Sequence, residues 1–439
     1  MLNTKYAFWV KVMLMNWFAL LSTASFLFIS KNKYKNAGNP YTVFNTLWFF
    51  VMLLITIGYS GVYAPSTEAL TCVLIGILFF NLSMFSPLGH ISGIGRVTSG
   101  KDEKKFIDTK RLKWLSTIAV ILCLYSAIYS ITQLLNGVSF SLIRNNYYQI
   151  SENNTEIMYY LRNWVIIPIA NASTVLIIVD AFNRRKIETQ LVINLALCVL
   201  LQAITNGGRY VLVNVIFMFV CMYLIKKDSF GGIPKRIKRI AVFLGIIFFW
   251  GILTLTNERT TFSTDLSFFD RIYRTLYVYF CGSVTYLGKV IEKNPEVMGT
   301  THGINFFGGV LAVISSVLSR LHIISYPDKL NYIGRYACQL LQIGNGTYYN
   351  AMPTIFGYFY IDGKLVLTAL ESFLFGCACK RQFIKTVNSD ILSMTWYVLL
   401  FVQICVSSTR WFFFSGDYIL SFLVVFLFIK KRKELGSDE

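Results

Sequence analysis

Charge is what this sequence has least of. Asp, Glu, Lys and Arg make up only 14% of the chain, where a soluble protein carries about a quarter. With 55% hydrophobic and 16% aromatic residues over 439 positions, the chain has more apolar surface than one soluble core buries. Strict apolar–polar alternation is missing, which excludes a β-barrel. Internal repeats and low-complexity tracts are missing too, which sets aside solenoids. The cysteines lack metal-binding spacing: "CAC" at 377–379 has no histidine or second pair in reach, and no metal or cofactor is expected. Seven of the nine cysteines lie inside apolar runs as small hydrophobes, leaving Cys281 and Cys338 as the pair open to a disulfide.

What is present is a series of apolar runs of about 18 residues or more, each closed by Lys or Arg, the signal of bilayer-spanning helices. The runs fall near 12–29, 41–63, 68–86, 115–136, 163–182, 190–206, 209–225, 240–257, 354–379, 391–408 and 412–429. The first lacks a charged leader and a cleavage site and is expected to be a retained helix. Every second link is basic: "KNKYK" at 31–35, the link 96–113, "NRRK" at 183–186, the link 226–239, "KRQFIK" at 380–385 and "KKRK" at 430–433. Positive residues on alternate links fix an outer N-terminus and a cytoplasmic C-terminus, and account for the net charge of +19 without nucleic acid.

The fold class expected is all-α: a polytopic integral membrane protein of about eleven transmembrane helices with one large external loop. Three segments follow: membrane helices over 1–257, the external loop over 258–353, and membrane helices with a short cytoplasmic tail over 354–439. Within the loop, 270–288 and 303–321 are apolar, aromatic and glycine-punctuated. They are expected to lie in the interface, with a true span at 303–321 as the alternative.

Basic residues differ by side. The cytoplasmic links hold mostly lysine. The outer side holds Arg144, Arg162, Arg209, Arg259, Arg271, Arg274, Arg320, Arg335 and Arg410. Positive charge is disfavoured there, and arginine offers a permanent planar fork that grips phosphate oxygens. The set is a candidate clamp for a phosphate or pyrophosphate at membrane level; anionic lipid headgroups or nearby acids are the alternative partners. "ITNGGRY" at 204–210 places Arg209 at a tight glycine turn between two spans. A base for sugar chemistry is available in His302, Glu258 or Asp270. Asp362 sits within an apolar run, where a carboxylate is a functional candidate by default, although Lys364 or a break at Gly363 can satisfy it. Tyr273, Tyr277, Tyr279, Tyr286, Tyr348, Tyr349 and Trp411 form either an interfacial belt or stacking surfaces for sugars.

These features together resemble the Wzy-type polymerases of O-antigen and capsular repeat units. The likeness rests on the many spans with one late outer loop, on "NGGRY", on "RIYRTLYVYFCGS" in the loop, and on "YNAMPTIFGYFYIDGKLVLTALESFLFG" at 349–376. Arg271…Gly282 and Arg335…Gly346 match an Arg-x10-Gly spacing, while Asp362-Gly363 departs from the family's Asp-Phe-Gly by lacking the aromatic. The resemblance implies a glycosyltransferase of the bacterial cytoplasmic (inner) membrane, with a GT-C-like organisation of its helices. It would move a growing glycan from undecaprenyl pyrophosphate to an incoming lipid-linked oligosaccharide repeat unit. Membrane lipids, a chain-length regulator and the pathway's flippase are the implied partners. Arg209, Arg259, Arg271, Arg274, Arg335, Asp362 and Arg410 are then assigned to substrate binding, and His302, Glu258 or Asp270 to catalysis. A flippase of the lipid-linked unit and a glycan ligase are the alternatives.

Overall fold

The computed structural model describes residues 2–87, 105–139, 142–143, 160–206, 210–227, 234–240, 242–243, 245–246, 268–349, 353–388 and 390–431. The chain is mostly helical. In order, the helices are α1 (Leu2–Tyr34), α2 (Pro40–Ile57), α3 (Thr67–Leu82), α4 (Thr109–Leu135), α5 (Ile167–Arg184), α6 (Thr189–Asn206) and α7 (Tyr210–Lys226). There follow α8 (Phe268–Lys293), α9 (Gly308–Arg320), α10 (Thr354–Val387), α11 (Ile391–Cys405) and α12 (Gly416–Phe428). Helices occupy the predicted spans except that near 240–257, most of which lies outside the described residues. Among the described residues, four helical segments are long and apolar enough to cross a membrane: Met13–Tyr34, Pro40–Ile57, Thr109–Leu135 and Leu161–Arg184.

Local signals set the boundaries. The Asn39 side chain accepts from the Thr42 amide and Pro40 opens α2; Ser66 does the same for Ala69 at α3, and Asp108 for Lys110 and Arg111 at α4. Each satisfies amides that the first turn leaves without partners.

The helices fall into two compact units, each discontinuous in sequence. The first comprises Met1–Gly95, Thr264–Arg381 and Gln403–Gly416; the second comprises Arg96–Ser263, Gln382–Val402 and Asp417–Glu439.

In the first unit, α1, α2, α3 and α10 pack around fully buried Trp48, Phe44, Phe80 and Phe356. Trp48 meets Phe356 at 5.0 Å between ring centroids and donates its indole N–H to Ser407 at 3.0 Å. α3 and α10 approach through glycine. A methyl built on Gly76 would lie 2.1 Å from a Phe356 ring carbon, and one on Gly376 would lie 2.2 Å from Ser83 Oγ. Small residues of this kind let membrane helices pack closely. Asn45 and Asn81 exchange reciprocal amide hydrogen bonds of 2.7 and 2.9 Å between α2 and α3. At one end of this unit, Lys33 Nζ and Lys380 Nζ both donate to the Met84 carbonyl, and Lys380 also to that of Ser86. At the opposite end, α8 packs against the C-terminus of α2 and the N-terminus of α3: Tyr273 donates to the Gly58 carbonyl, Thr285 donates to that of Tyr63, and Gly288 abuts Ser66. Two antiparallel strands, here β2 (Leu341–Gly344) and β3 (Thr347–Tyr349) after the short β1 (Lys105–Phe106), close over the same end. Tyr63 donates its amide to Ile343 and Thr347 its hydroxyl to Gly61. α9 is only 13 residues long. Neither Cys281 nor Cys338 is in a disulfide, so the pairing that the sequence left open is not made.

In the second unit, α4 and α6 run parallel, joined by a ladder of polar contacts. Lys113 pairs with Glu188, Asn194 donates to Ser116 at 2.9 Å, Cys123 Sγ lies 3.6 Å from Cys198 Sγ, and Ser130 donates to the Thr205 carbonyl. The Arg184 side chain bonds Asp180 and the Ile107 carbonyl at the Lys113 end. There β1 also pairs antiparallel with β4 (Lys430–Lys431). Thus the basic residues Lys105, Lys113, Arg184, Lys430 and Lys431 meet at one end of this unit, as Lys33 and Lys380 do in the first.

Gly76→Ala overpacks Phe356 and should lower the thermal unfolding midpoint in detergent, by a destabilisation of about 1–3 kcal/mol. Adding Phe356→Leu should recover part of the loss. The Cys123–Cys198 distance predicts an intramolecular cross-link under copper phenanthroline, seen as fragments that stay joined after cleavage between α4 and α6. A failure to cross-link would move α6 away from α4.

Candidate functional site

The most unusual feature of the first unit is that α10 is not one continuous helix. Gly363 (φ −166°, ψ 40°) and Lys364 (φ 50°, ψ −142°) leave helical geometry, so the helix breaks early in its length. A break frees carbonyls, and here the strap 299–307 takes them up. The amides of Gly299, Thr300 and Thr301 point at the Ile361 carbonyl (3.0, 3.1 and 3.5 Å), and the His302 amide donates to that of Asp362 at 2.9 Å. The Asp362 side chain answers in the other direction. Its Oδ1 accepts from Thr301 Oγ1 at 2.5 Å and the Asn305 amide at 2.9 Å, and its Oδ2 accepts from the Phe306 amide at 2.9 Å. Asp362 is completely buried. The partners that satisfy it are thus Thr301 and the strap's backbone, with the Lys364 stem laid along Gly299 instead. The strap is pinned further by Trp411, which stacks on Phe306 and donates its indole N–H to the Phe306 carbonyl.

Beside Asp362 lies Glu371, from the part of α10 beyond the break, 4% exposed and within interaction distance of the Asp362 carboxyl. It is not among the candidates that the sequence picks out. The signal for it is the one that marks Asp362, a lone carboxylate in an apolar run, here "LVLTALESFLFG".

The candidate residues lie at several places. His302 is exposed on the strap, with a left-handed backbone (φ 53°). Asp270 is exposed in the first turn of α8. Arg274, one turn further, reaches Thr347 Oγ1 at 3.4 Å and so links α8 to β3. Arg335 is held in a two-pronged ion pair with Asp328 at 3.0 and 3.1 Å on the exposed surface. Arg410 sits in the turn after α11, where Gln403 donates to its carbonyl at 2.9 Å. Its guanidinium lies 5.6 Å from the Phe412 ring centroid, and its charge acts on Tyr349 and Cys338. Burial pushes the Tyr349 hydroxyl up to about 12, against the Ser283 hydrogen bond and the Arg410 charge. Burial likewise pushes the Cys338 thiol up to about 12. Both therefore stay neutral near pH 7, and the charge of Arg410 is not offset by either. Glu258, Arg209 and Arg259 lie outside the described residues, as does the side chain of Arg271; α6 ends at Asn206 and α7 starts at Tyr210, on either side of the glycine turn.

The structure therefore brings Arg274 and Arg410 to the capped end of the first unit, each near β3, while His302 and Asp362 share the strap. Chemically, the cap brings two guanidinium groups to one end, and the strap covers a buried acid pair.

Removing the Asp362 carboxyl strands two amides and a hydroxyl. Asp362→Ala should cost about 3 kcal/mol or more, read as a lowered unfolding midpoint and a strap newly open to protease. An unchanged midpoint would deny Asp362 its role in holding the break. Comparison with models of protein families, with curated proteins and with solved structures finds no match for this chain.

Proposed function

We propose that this protein polymerises lipid-linked oligosaccharide repeat units at the outer face of a bacterial cytoplasmic membrane. The observation that carries the reading is the polarity of the first unit. Lys33 and Lys380 hold one end, whereas the opposite end is capped by 268–349 and carries Arg274, Arg335 and Arg410. Basic residues at one end are the usual mark of a cytoplasmic side, which supports an outer position for the cap. Arg274 and Arg410 at that end supply the planar positive forks that an anionic ligand binds.

In the reaction, a hydroxyl of the incoming unit attacks the anomeric carbon of the growing glycan. The new glycosidic bond forms as the bond to undecaprenyl pyrophosphate breaks, and its electron pair leaves with the pyrophosphate. Arg274 and Arg410 bind that developing charge, a form of electrostatic stabilisation. His302, exposed on the strap, accepts the hydroxyl proton, with Asp270 or Glu258 as the other candidate bases. The donor is already activated, so no nucleotide is needed.

A second reading has its own support. A discontinuous helix with buried carboxyls is the arrangement that transporters use near their substrate sites, which favours a flippase of the same lipid-linked unit.

Cells lacking the protein separate the readings when their lipid-linked glycans are extracted and sized. Single repeat units on the outer leaflet, with long chains gone, indicate the polymerase. Long lipid-linked chains left untransferred indicate a ligase, and single units held on the cytoplasmic leaflet a flippase. In the polymerase case, Arg410→Ala and Arg274→Ala should each cut chain length while the protein stays in the membrane. Normal chains from both would withdraw the clamp.

A further inference from the structure

Two carboxyl groups in hydrogen-bond contact need a proton between them, because carboxylates are acceptors only. Glu371 and Asp362 make such a contact at the break of α10. The other partners of each acid show where the proton sits. Asp362 accepts from Thr301 Oγ1 and the Asn305 amide on Oδ1, and from the Phe306 amide on Oδ2. Donors gathered on one carboxyl in this way favour its ionised form. Glu371 is 4% exposed, and among the described residues its Oε2 has no hydrogen-bond partner. A buried carboxylate left so bare is costly, whereas a neutral carboxyl with a bare carbonyl oxygen costs far less. The proton therefore belongs to Glu371, which adds its own donor to those of the strap. Glu371 also lies under the strap, since a methyl built on Gly303 would come 3.8 Å from its Oε1.

The charged and titratable groups on the surrounding elements are engaged elsewhere. On α10, Tyr358 turns its hydroxyl to the Trp411 backbone, and the Lys364 stem lies along Gly299. Cys72 of α3 bonds the Phe356 carbonyl, and Lys329 donates to that of Thr300 at 2.8 Å. His302 is exposed on the strap, and Arg410 lies by Phe412. Among the described residues none of these forms an ion pair with either acid. We infer that Glu371 is a protonated latch: its carboxyl hydrogen, donated to Asp362, ties the second half of α10 to the first and holds the strap 299–307, with His302, over the break. Loss of that proton sets two negative charges side by side with no cation to part them, which loosens the strap. The latch stands whether the chain polymerises or transports the lipid-linked unit.

In the unfolded chain Glu371 meets water and gives up its proton above about pH 4.3. Unfolding at neutral pH therefore releases a proton, so the stability that the latch supplies is full in acid and falls as pH rises. The test uses the full chain in detergent, unfolded with sodium dodecyl sulfate from about pH 5 to about pH 9. Glu371→Gln replaces the O–H donor by an N–H donor that pH does not remove, and Glu371→Ala has no donor. Relative to Glu371→Gln, the folded-to-unfolded ratio of the wild type should fall by up to about tenfold per pH unit. Glu371→Ala should open the strap to protease at every pH. In the infrared, the wild type at neutral pH should show the carbonyl stretch of a protonated carboxylic acid, lost in Glu371→Gln. The latch is overturned if wild type and Glu371→Gln share one pH profile, if that band is absent, or if Glu371→Ala leaves the strap as closed as before. Should Glu371→Gln fail to fold, the wild-type band decides, present in the folded chain and gone when it is unfolded at the same pH. These measurements read a proton and a strap and not a glycan, so their failure leaves the polymerase proposal untouched, and the reverse holds too.

Discussion

A backbone carbonyl released from a helix inside an apolar bundle has no water to turn to, and it must find a donor within the protein. Much of the first unit is arranged around that requirement at Gly363–Lys364. The Ile361 and Asp362 carbonyls need donors, and the strap supplies its amides. The strap then needs acceptors for Asn305 and Phe306, and the Asp362 carboxylate supplies them. Trp411 holds the strap from its other side through Phe306. Break and strap are therefore mutually dependent: neither is stable without the other, and the segment between α8 and α9 is ordered by a helix that follows it in sequence.

The same rule explains why so many polar residues sit within apolar helices here. Asn45 and Asn81 satisfy each other. Asn194 finds Ser116, and Ser130 finds the Thr205 carbonyl. Lys380, almost wholly buried, donates to the carbonyls just past the end of α3. Where lipid-exposed and buried surfaces are equally apolar, hydrophobicity does not choose between partners. Helix pairing is set instead by these few polar contacts and by glycines such as Gly76 and Gly376, which remove the bulk that would keep the backbones apart.

Charge is thereby partitioned. Lys33 and Lys380 lie at the end where α1, α3 and α10 have their C-termini, Arg274 and Arg410 at the capped end, and Asp362 and Glu371 at the break between. In the proposed reaction the capped end handles the anionic leaving group. The acid pair is enclosed by the strap and has a separate task. That His302 belongs to the strap gives the two a physical link, because whatever fixes the break also fixes the backbone that carries the candidate base.

The helical class, the positions of most helices, the alternation of basic links and the setting of Asp362 in an apolar run are all legible in the sequence. Each rests on a local property: apolar run length, alternation of lysine-rich links, or a carboxylate in a greasy setting. The interfacial reading of 270–288 rests on a local pattern too, and α8 lies against the ends of α2 and α3. Tertiary structure alone decided what satisfies Asp362, since Thr301, Asn305 and Phe306 are about sixty residues away and no sequence period links them. It alone gave Glu371 its meaning, because one acid in an apolar helix says little until a second is packed beside it. It also decided that Arg335 is engaged by Asp328 while Arg274 and Arg410 turn toward β3. Sequence assigns a side chain its charge and its depth; only the fold decides which opposing group that charge will meet.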